Sequence, residues 1–340
     1  MNYMERYRKQ ILLREIGEEG QERLRSSHAV VIGCGALGTV IANTLVRMGV
    51  GSIAIVDRDF IETDNLHRQI LFDEDDIRNN LPKAVAAARK LEKINPTITI
   101  KPVVEDINAG NIEDIIRVTD CVIDGTDNFE TRFLINDACH HMKIPWVYGG
   151  VVGTYGMSYT ILPGKTACFR CFIRDVPEPG ATETCDTVGV LATAVSIIAS
   201  IETTEAIKIL TGRRDDLLGK LITIDVWNGR YQSIKLKVDE NCPVCKHGRY
   251  DFLDARESSK TVSLCGRNAI QITPGKKTNI GFDELARRLE RAGSVTYNEH
   301  LLKFTADGAE ISLFRDGRAI MKGVKDEAAA RTIFSKYIGL

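Results

Sequence analysis

The stretch HAVVIGCGALGTVIANTLVRMG, residues 28–49, leaves this chain few folds to choose from. A buried strand runs into the turn Gly33-Cys34-Gly35-Ala36-Leu37-Gly38, and a helix closed by Gly49 follows. At this spacing the first glycine permits the tight turn and the second lets backbone approach a phosphate or sugar. The third lets helix and strand pack closely. The helix N-terminus beyond the turn favours an anion by about 0.3–1 kcal/mol. SIAIVD then supplies a second buried strand ending in Asp57, at the distance where an acid holds ribose hydroxyls. The unit reads as a nucleotide site rather than as a turn that merely packs.

Strand and helix patterns go on alternating: helix PKAVAAARKLEKIN with Pro82 at its start, strand ITIKPVVE, short helix NIEDIIRV, strand CVIDGTDN with its exit loop, helix ETRFLINDACHHM and strand PWVYGGV. This order predicts crossover units and a Rossmann-like α/β domain with a mostly parallel sheet. Residues of about 5–26 read as helical. After residue 150 the pattern turns antiparallel, in GTYGMSYTIL and KLITIDVWNGRYQSIKLKV, and 187–211 reads as one long buried helix between them. The expected division is a domain over 1–248, a polar linker over 249–260, and a small C-terminal α/β domain over 261–340 whose role the sequence does not reveal.

Lys and Arg number 45 against 46 Asp and Glu, a net charge of −1, which argues against a nucleic-acid or membrane-surface binder. VGVLATAVSIIASI is too short to span a bilayer and runs straight into Glu202. MNYMERYRKQ has no hydrophobic signal core, and nine cysteines in such a chain imply a reducing compartment, so the expected location is cytoplasmic.

Behind Asp57 come Asn65, Arg68 and Gln69, then Lys83 in LPKAV and the acidic loop DGTDN at 124–128. An NAD-linked dehydrogenase needs an apolar nicotinamide pocket and has no use for this set. Two fixed cations and a carboxylate beside a nucleotide suit phosphoryl chemistry: Arg and Lys neutralise charge developing on phosphates, and an Asp can hold Mg²⁺. The expected nucleotide is ATP, and the expected reaction splits it.

GCGALGT, VDRD…DNLHRQ, LPKA, DGTDNFETR and the paired CxxC motifs together resemble the MoeB/ThiF/HesA adenylyltransferases, bacterial relatives of ubiquitin-activating enzymes, over about residues 3–248. The resemblance implies adenylation of the C-terminal Gly-Gly carboxylate of a ubiquitin-like sulfur-carrier protein. Pyrophosphate is released, and a thiocarboxylate is made afterwards with sulfur from a cysteine desulfurase or another donor. Carried over by motif, Gly33, Gly35, Ala36, Gly38, Asp57, Asp59, Asn65, Arg68, Gln69, Lys83, Asp127 and Asn128 would surround ATP. Asp57 would bind the ribose, Arg68 and Lys83 would carry most of the charge stabilisation, and Asp127 would coordinate Mg²⁺, with Asp124 structural. The resemblance also implies a homodimer in which an N-terminal RYxRQ motif reaches the partner's ATP. Here RYRKQ puts Lys9 in place of its second Arg, keeping the charge but losing the planar fork, and Arg8 stands beside it as a substitute.

Cys168 and Cys171 in CFRC, with Cys242 and Cys245 in CPVC, form two pairs that can complete a closed, structural all-thiolate zinc site; the alternative is a redox dithiol. Cys185, in a Gly/Pro/Thr-rich loop just before the long helix, is a candidate nucleophile because a helix N-terminus favours thiolate, although Asp186 beside it works the other way. In the resembled family the cysteine here receives the activated carrier or forms an acyl-persulfide link. Cys34, Cys121 and Cys139 read as core residues, Cys265 as a strand residue outside any CRxG pattern, and His140-His141 as a helix cap. Between carriers, the Cys185 loop and the overall length resemble thiamine-pathway ThiF-type proteins. The same chemistry on a molybdopterin carrier, adenylation of a small molecule and a non-catalytic module remain as other readings.

Overall fold

The computed structural model describes residues 3–177, 183–254, 261–264, 269–273 and 279–338, in two units, 1–256 and 257–340. Cys265 lies outside the described residues.

The first unit is built on an eight-stranded sheet. Its strands are β1 (His28–Ile32), β2 (Ser52–Val56), β3 (Thr99–Val103), β4 (Cys121–Asp124), β5 (Trp146–Val152), β6 (Tyr155–Ile161), β7 (Leu221–Asp225) and β8 (Arg230–Ile234). Their order is β3-β2-β1-β4-β5-β6-β7-β8. The strands from β3 to β5 pair in parallel, and β5 to β8 pair antiparallel. The central strands β1 and β4 are apolar but for His28 at the start of one and Asp124 at the end of the other, as expected where both faces are covered. Val31, Ile53 and Val147 face a layer containing Ile41, Leu45, Ala87 and Ile198, while Val30, Ile32 and Trp146 face Phe133, Ile135 and Phe169.

Helices depart from the expected pattern in three places. The N-terminal segment breaks into Tyr3–Arg6, Arg8–Ile11 and Gly17–Ser26, with Gly17 at φ 63°. The long helix begins only at Ala192, because Gly189 at φ 79° ends a one-turn helix Cys185–Val188, and the Leu191 amide then bonds the Gly153 carbonyl at 2.8 Å. Nor is this helix buried all round: Ser196, Ser200 and Thr204 lie on an exposed face and turn their hydroxyls to carbonyls four residues back. Within the polar break, Asp251–Asp254 forms a helical turn whose Phe252 ring stacks 4.8 Å from Phe133. No helix among the described residues is long and apolar enough to cross a membrane.

The second unit is a six-stranded antiparallel sheet of β9 (Thr261–Leu264), β10 (Ala269–Ile272), β11 (Ser294–Tyr297), β12 (Leu301–Ala306), β13 (Ala309–Phe314) and β14 (Ala319–Lys322), ordered β11-β12-β13-β14-β10-β9. Asp307-Gly308, both at positive φ, make the two-residue hairpin turn between β12 and β13. Helices Phe282–Leu289 and Glu327–Tyr337 contribute Phe282, Leu285 and Phe334 to a core shared with Leu302, Phe304, Ile311, Leu313 and Met321.

Candidate active site

The strand order reverses between β1 and β4, and in an open α/β sheet the crevice outside the C-terminal strand ends at such a reversal is where ligands bind. The glycine turn opens into that crevice. A Cβ on Gly33, at φ 92°, would lie 2.4 Å from the Gly125 carbonyl oxygen, and one on Gly38 would lie 1.9 Å from the Gly33 oxygen. These glycines therefore let β1, its helix and the β4 exit loop close on one another. At Gly35, among the described residues beyond its immediate neighbours, the only heavy atom within 4 Å of an added Cβ is the Gln69 Nε2, at 3.9 Å, so the backbone is open to approach there.

Asp57 sits at the end of β2 with both carboxylate oxygens engaged. The Cys34 amide donates to one at 2.6 Å and the Asp59 amide to the other at 2.7 Å. Burial pushes the Asp57 carboxyl above its ordinary range, and the Lys83 ammonium pulls it back. Lys83 opens the helix Lys83–Ile94 and is 3% exposed. Its amide donates to the Asp59 carbonyl at 2.9 Å, and its ammonium lies 3.7 Å from the Asp59 carboxylate. Arg58 reaches the same Asp59 at 3.7 Å and Asp106 at 2.9 Å. Asp57, Asp59 and Lys83 thus form one cluster beneath the turn.

The loop after Asp59 is pinned from within. Asn65 is buried: its side-chain oxygen accepts from the Glu62 amide at 3.3 Å and its amide donates to Asp64 at 2.8 Å. Gln69 is buried beside Gly35, and its Oε1 has no hydrogen-bond partner within the protein. Half-buried Arg68 donates to the Asp64 carbonyl at 2.6 Å and has no carboxylate partner among the described residues, so its charge remains available to an anion. His67 is exposed and bonds the same carbonyl at 2.9 Å.

Across the crevice, Asp127 and Asn128 are exposed at the end of the β4 exit loop. The Asn128 side chain accepts from the Thr131 amide at 2.9 Å and caps the helix Phe129–Met142. Asp124 is fully buried in an ion pair with Arg132 at 3.1 Å.

Cys185 lies at the same sheet edge, its thiol 3.4 Å from the carbonyl oxygen of Val151 near the end of β5. It opens the one-turn helix, not the long one, which removes the long-helix argument for a thiolate. Lys9 lies elsewhere. Gln10 beside it bonds the Met48 carbonyl at 2.9 Å, at the C-terminal end of the helix Ala36–Met48, whereas the glycine turn precedes that helix. The helix is thirteen residues long, so roughly 20 Å separates Lys9 from its own chain's turn.

The four CxxC cysteines meet through the fold. Cys168–Cys171, Cys168–Cys242 and Cys171–Cys245 sulfurs lie 3.8, 3.5 and 3.7 Å apart, and all four lie within 4.8 Å of one another. Zn–S bonds of ~2.3 Å in a tetrahedron give edges of ~3.8 Å, so the thiol set fits that ion. β6 and β8 both run away from the crevice before reaching these residues, which places the cluster at the opposite sheet edge. The histidine pair does not cap its helix: Lys143 does, in the left-handed conformation, while His141 bonds Glu113 at 2.7 Å and His140 approaches the Tyr250 hydroxyl at 3.4 Å.

Arg58 and Arg132 were both inside motifs legible in the sequence, VDRD and DGTDNFETR, but nothing in the spacing pairs Arg58 with Asp106 or Arg132 with Asp124. Glu202, buried behind β5, gave no sequence signal beyond an acid in an apolar helix.

The sequence pattern of the ThiF family matches residues 7–244. The chain is 41% identical over 338 residues to the sulfur carrier protein ThiS adenylyltransferase of Bacillus subtilis, covering 98% of this chain and 99% of that protein. It is 36% identical to the SAMP-activating enzyme E1 of Haloferax volcanii over 74% of this chain and 92% of that one. Among solved structures, E. coli MccB with MccA-N7isoASN superposes with a TM-score of 0.63 at 23% identity over 72% of this chain and 75% of that chain, a likeness of fold.

Proposed function

The chain belongs to the ThiF family, and on that footing we propose that it adenylates the C-terminal Gly-Gly carboxylate of a ubiquitin-like sulfur-carrier protein of thiamine thiazole biosynthesis. The observation that carries this reading is the match to the ThiS adenylyltransferase along nearly the whole of both chains, the second unit included. The enzyme is an adenylyltransferase that uses ATP.

A carrier carboxylate oxygen attacks the α-phosphorus of ATP, and the bond to the bridging oxygen breaks, releasing pyrophosphate. The carboxylate is already the nucleophile, so positioning and electrostatics carry the rate and no general base is needed. Asp57, held by two backbone amides, accepts the ribose hydroxyls on its remaining lone pairs. Lys83, with Asp59 fixing its direction, and Arg68 neutralise charge on the phosphates; Asn65 and Gln69 keep the Arg68 loop in shape. The bare backbone at Gly35 and the orphaned Gln69 oxygen fit a polar ligand laid across the turn. Asp127, an exposed carboxylate at the crevice, is the hard oxygen donor that Mg²⁺ accepts. When bound there, Mg²⁺ would neutralise phosphate charge. Zn²⁺ would be held by Cys168, Cys171, Cys242 and Cys245, and one zinc per chain in the purified protein tests that assignment.

Cys185, at the same sheet edge, is placed to take the acyl group in the later step, its sulfur replacing AMP on the carbonyl carbon. The reading further includes a homodimer in which Lys9 serves the neighbouring copy's ATP, a cysteine desulfurase or other sulfur donor, and a cytoplasmic location.

The test is ATP–pyrophosphate isotope exchange with Mg²⁺ and candidate carriers. Exchange that needs the thiamine-pathway carrier, disappears in Arg68→Ala and Asp127→Ala and persists in Cys185→Ala is the expected outcome. Exchange with the molybdopterin carrier alone overturns the choice of carrier, and exchange without any Gly-Gly protein overturns the substrate class. Loss of exchange in Cys185→Ala would move that thiol into the adenylation step.

A further inference from the structure

Arg132 follows the exit loop of β4 by one helical turn and is buried, yet the nucleotide chemistry above gives it no task. Its Nε donates to Asp124 at 3.1 Å, and its Nη2 donates to the carbonyl of Thr126 at 2.7 Å and to that of Gly149 in β5 at 3.0 Å. Asp124 in turn accepts from the Thr126 amide at 2.8 Å and hydroxyl at 2.7 Å. One guanidinium therefore ties the loop that ends in Asp127 to two neighbouring strands, and the rings of Tyr148 and Phe129 flank it at 5.4 and 5.9 Å.

A second acid lies close to this clamp. Behind Gly149 lies Glu202, so close that a Cβ on Gly149 would meet its carboxyl carbon at 2.2 Å, and neither Glu202 oxygen has a hydrogen bond within the protein. Burial raises the Glu202 pKa well above the ordinary range, with the Asp124 charge adding to it and the Arg132 charge opposing it. Asp124 is the acid that Arg132 bonds directly, at 3.1 Å. The Nε and Nη2 donors are taken up by Asp124 and backbone, and the cation attracts the neighbouring Asp127.

We propose that Arg132 is a positioning residue for Asp127: by clamping the Thr126 and Gly149 carbonyls it holds the exit loop in the form in which the Asp127 carboxylate meets the metal–ATP complex. The inference rests on the reading that this crevice binds ATP with Mg²⁺. Lysine would keep the charge opposite Asp124 but has no planar fork to span a carboxylate and two carbonyls.

The experiment is equilibrium dialysis of labelled ATP against increasing Mg²⁺, with melting curves alongside. Arg132→Lys is expected to fold and to bind ATP in excess chelator as the wild type does, while its Mg²⁺ midpoint rises about tenfold or more, the scale on which loss of a supporting partner weakens a metal ligand. Adding Arg132→Lys to Asp127→Asn should change the midpoint no further, because both act through one carboxylate. An unchanged midpoint in folded Arg132→Lys, or losses that add in the double variant, overturns the inference. If Arg132→Lys does not fold, Thr126→Val removes one bond to Asp124 and should raise the midpoint by a smaller factor; no rise there also overturns it. A wild-type protein that binds Mg²⁺–ATP but shows no carrier-dependent exchange would sink the proposed function and leave Arg132 to be judged on the midpoint alone. A wild type that binds no ATP sinks both.

Discussion

Lys83 is a cation held almost out of water, and such a group is tolerated in a fold only when paired. Its partner Asp59 also reaches Arg58, so removing the ammonium does not strand the carboxylate. Lys83→Met is therefore expected to fold while its exchange rate drops by about 100-fold or more, as for removal of one fixed electrostatic donor. Exchange kinetics beside a melting curve check it. Glu202 gives the opposite kind of prediction. Its folded pKa lies above its unfolded value, so between the two the native state binds more protons, and stability falls as pH rises through that window. Glu202→Gln keeps the shape and removes this group's contribution to the slope. The variant should melt at or above the wild type at pH 8, and the difference should close toward pH 4. An equal deficit at both pH values would show that the acid is stabilising instead.

At the scale of elements, the glycine turn is where the fold tolerates least. Gly38→Ala drives a methyl into the Gly33 carbonyl inside the β1 turn, and neither backbone can retreat without breaking the β4 contact. The expected cost is about 3 kcal/mol, the upper end for overpacking, with ATP affinity lost along with stability; thermal melts and nucleotide binding read both. The strands were legible because each is a short apolar run between turn signals, and the turn was legible because three glycines at that spacing have few other uses. The break at Gly189 was not legible: VGVLATAVSIIASI is apolar on both sides of it, and only the backbone, bridging Gly153 and Val190, shows why the helix must start later. Arg132 and Glu202 escaped for a related reason. Arg132 takes its meaning from the Gly149 carbonyl and Glu202 from packing against Gly149, and the sequence places that strand without saying which way its carbonyls point or what lies behind it.

For the whole molecule, Lys9 sets the sharpest test. A charge about 20 Å from its own turn could reach ATP only from a second copy, as the proposed dimer requires. Lys9→Ala and Lys83→Ala proteins, each impaired alone, should regain exchange when mixed and re-equilibrated, up to roughly a quarter of the wild-type rate, because half the dimers then carry one intact site. No recovery, in a mixture shown to exchange subunits, would remove Lys9 from the site. The sheet order carries one more consequence. Gly33 and Gly125 meet only because Ala29 pairs with Cys121, so the crevice straddles strands that lie far apart along the chain. Closing so long a loop comes late and slowly in folding, whereas the β5–β6 and β7–β8 hairpins are local and quick. A refolding chain would thus form these two hairpins before it can bind any nucleotide, and ATP cannot act as a template for those early steps.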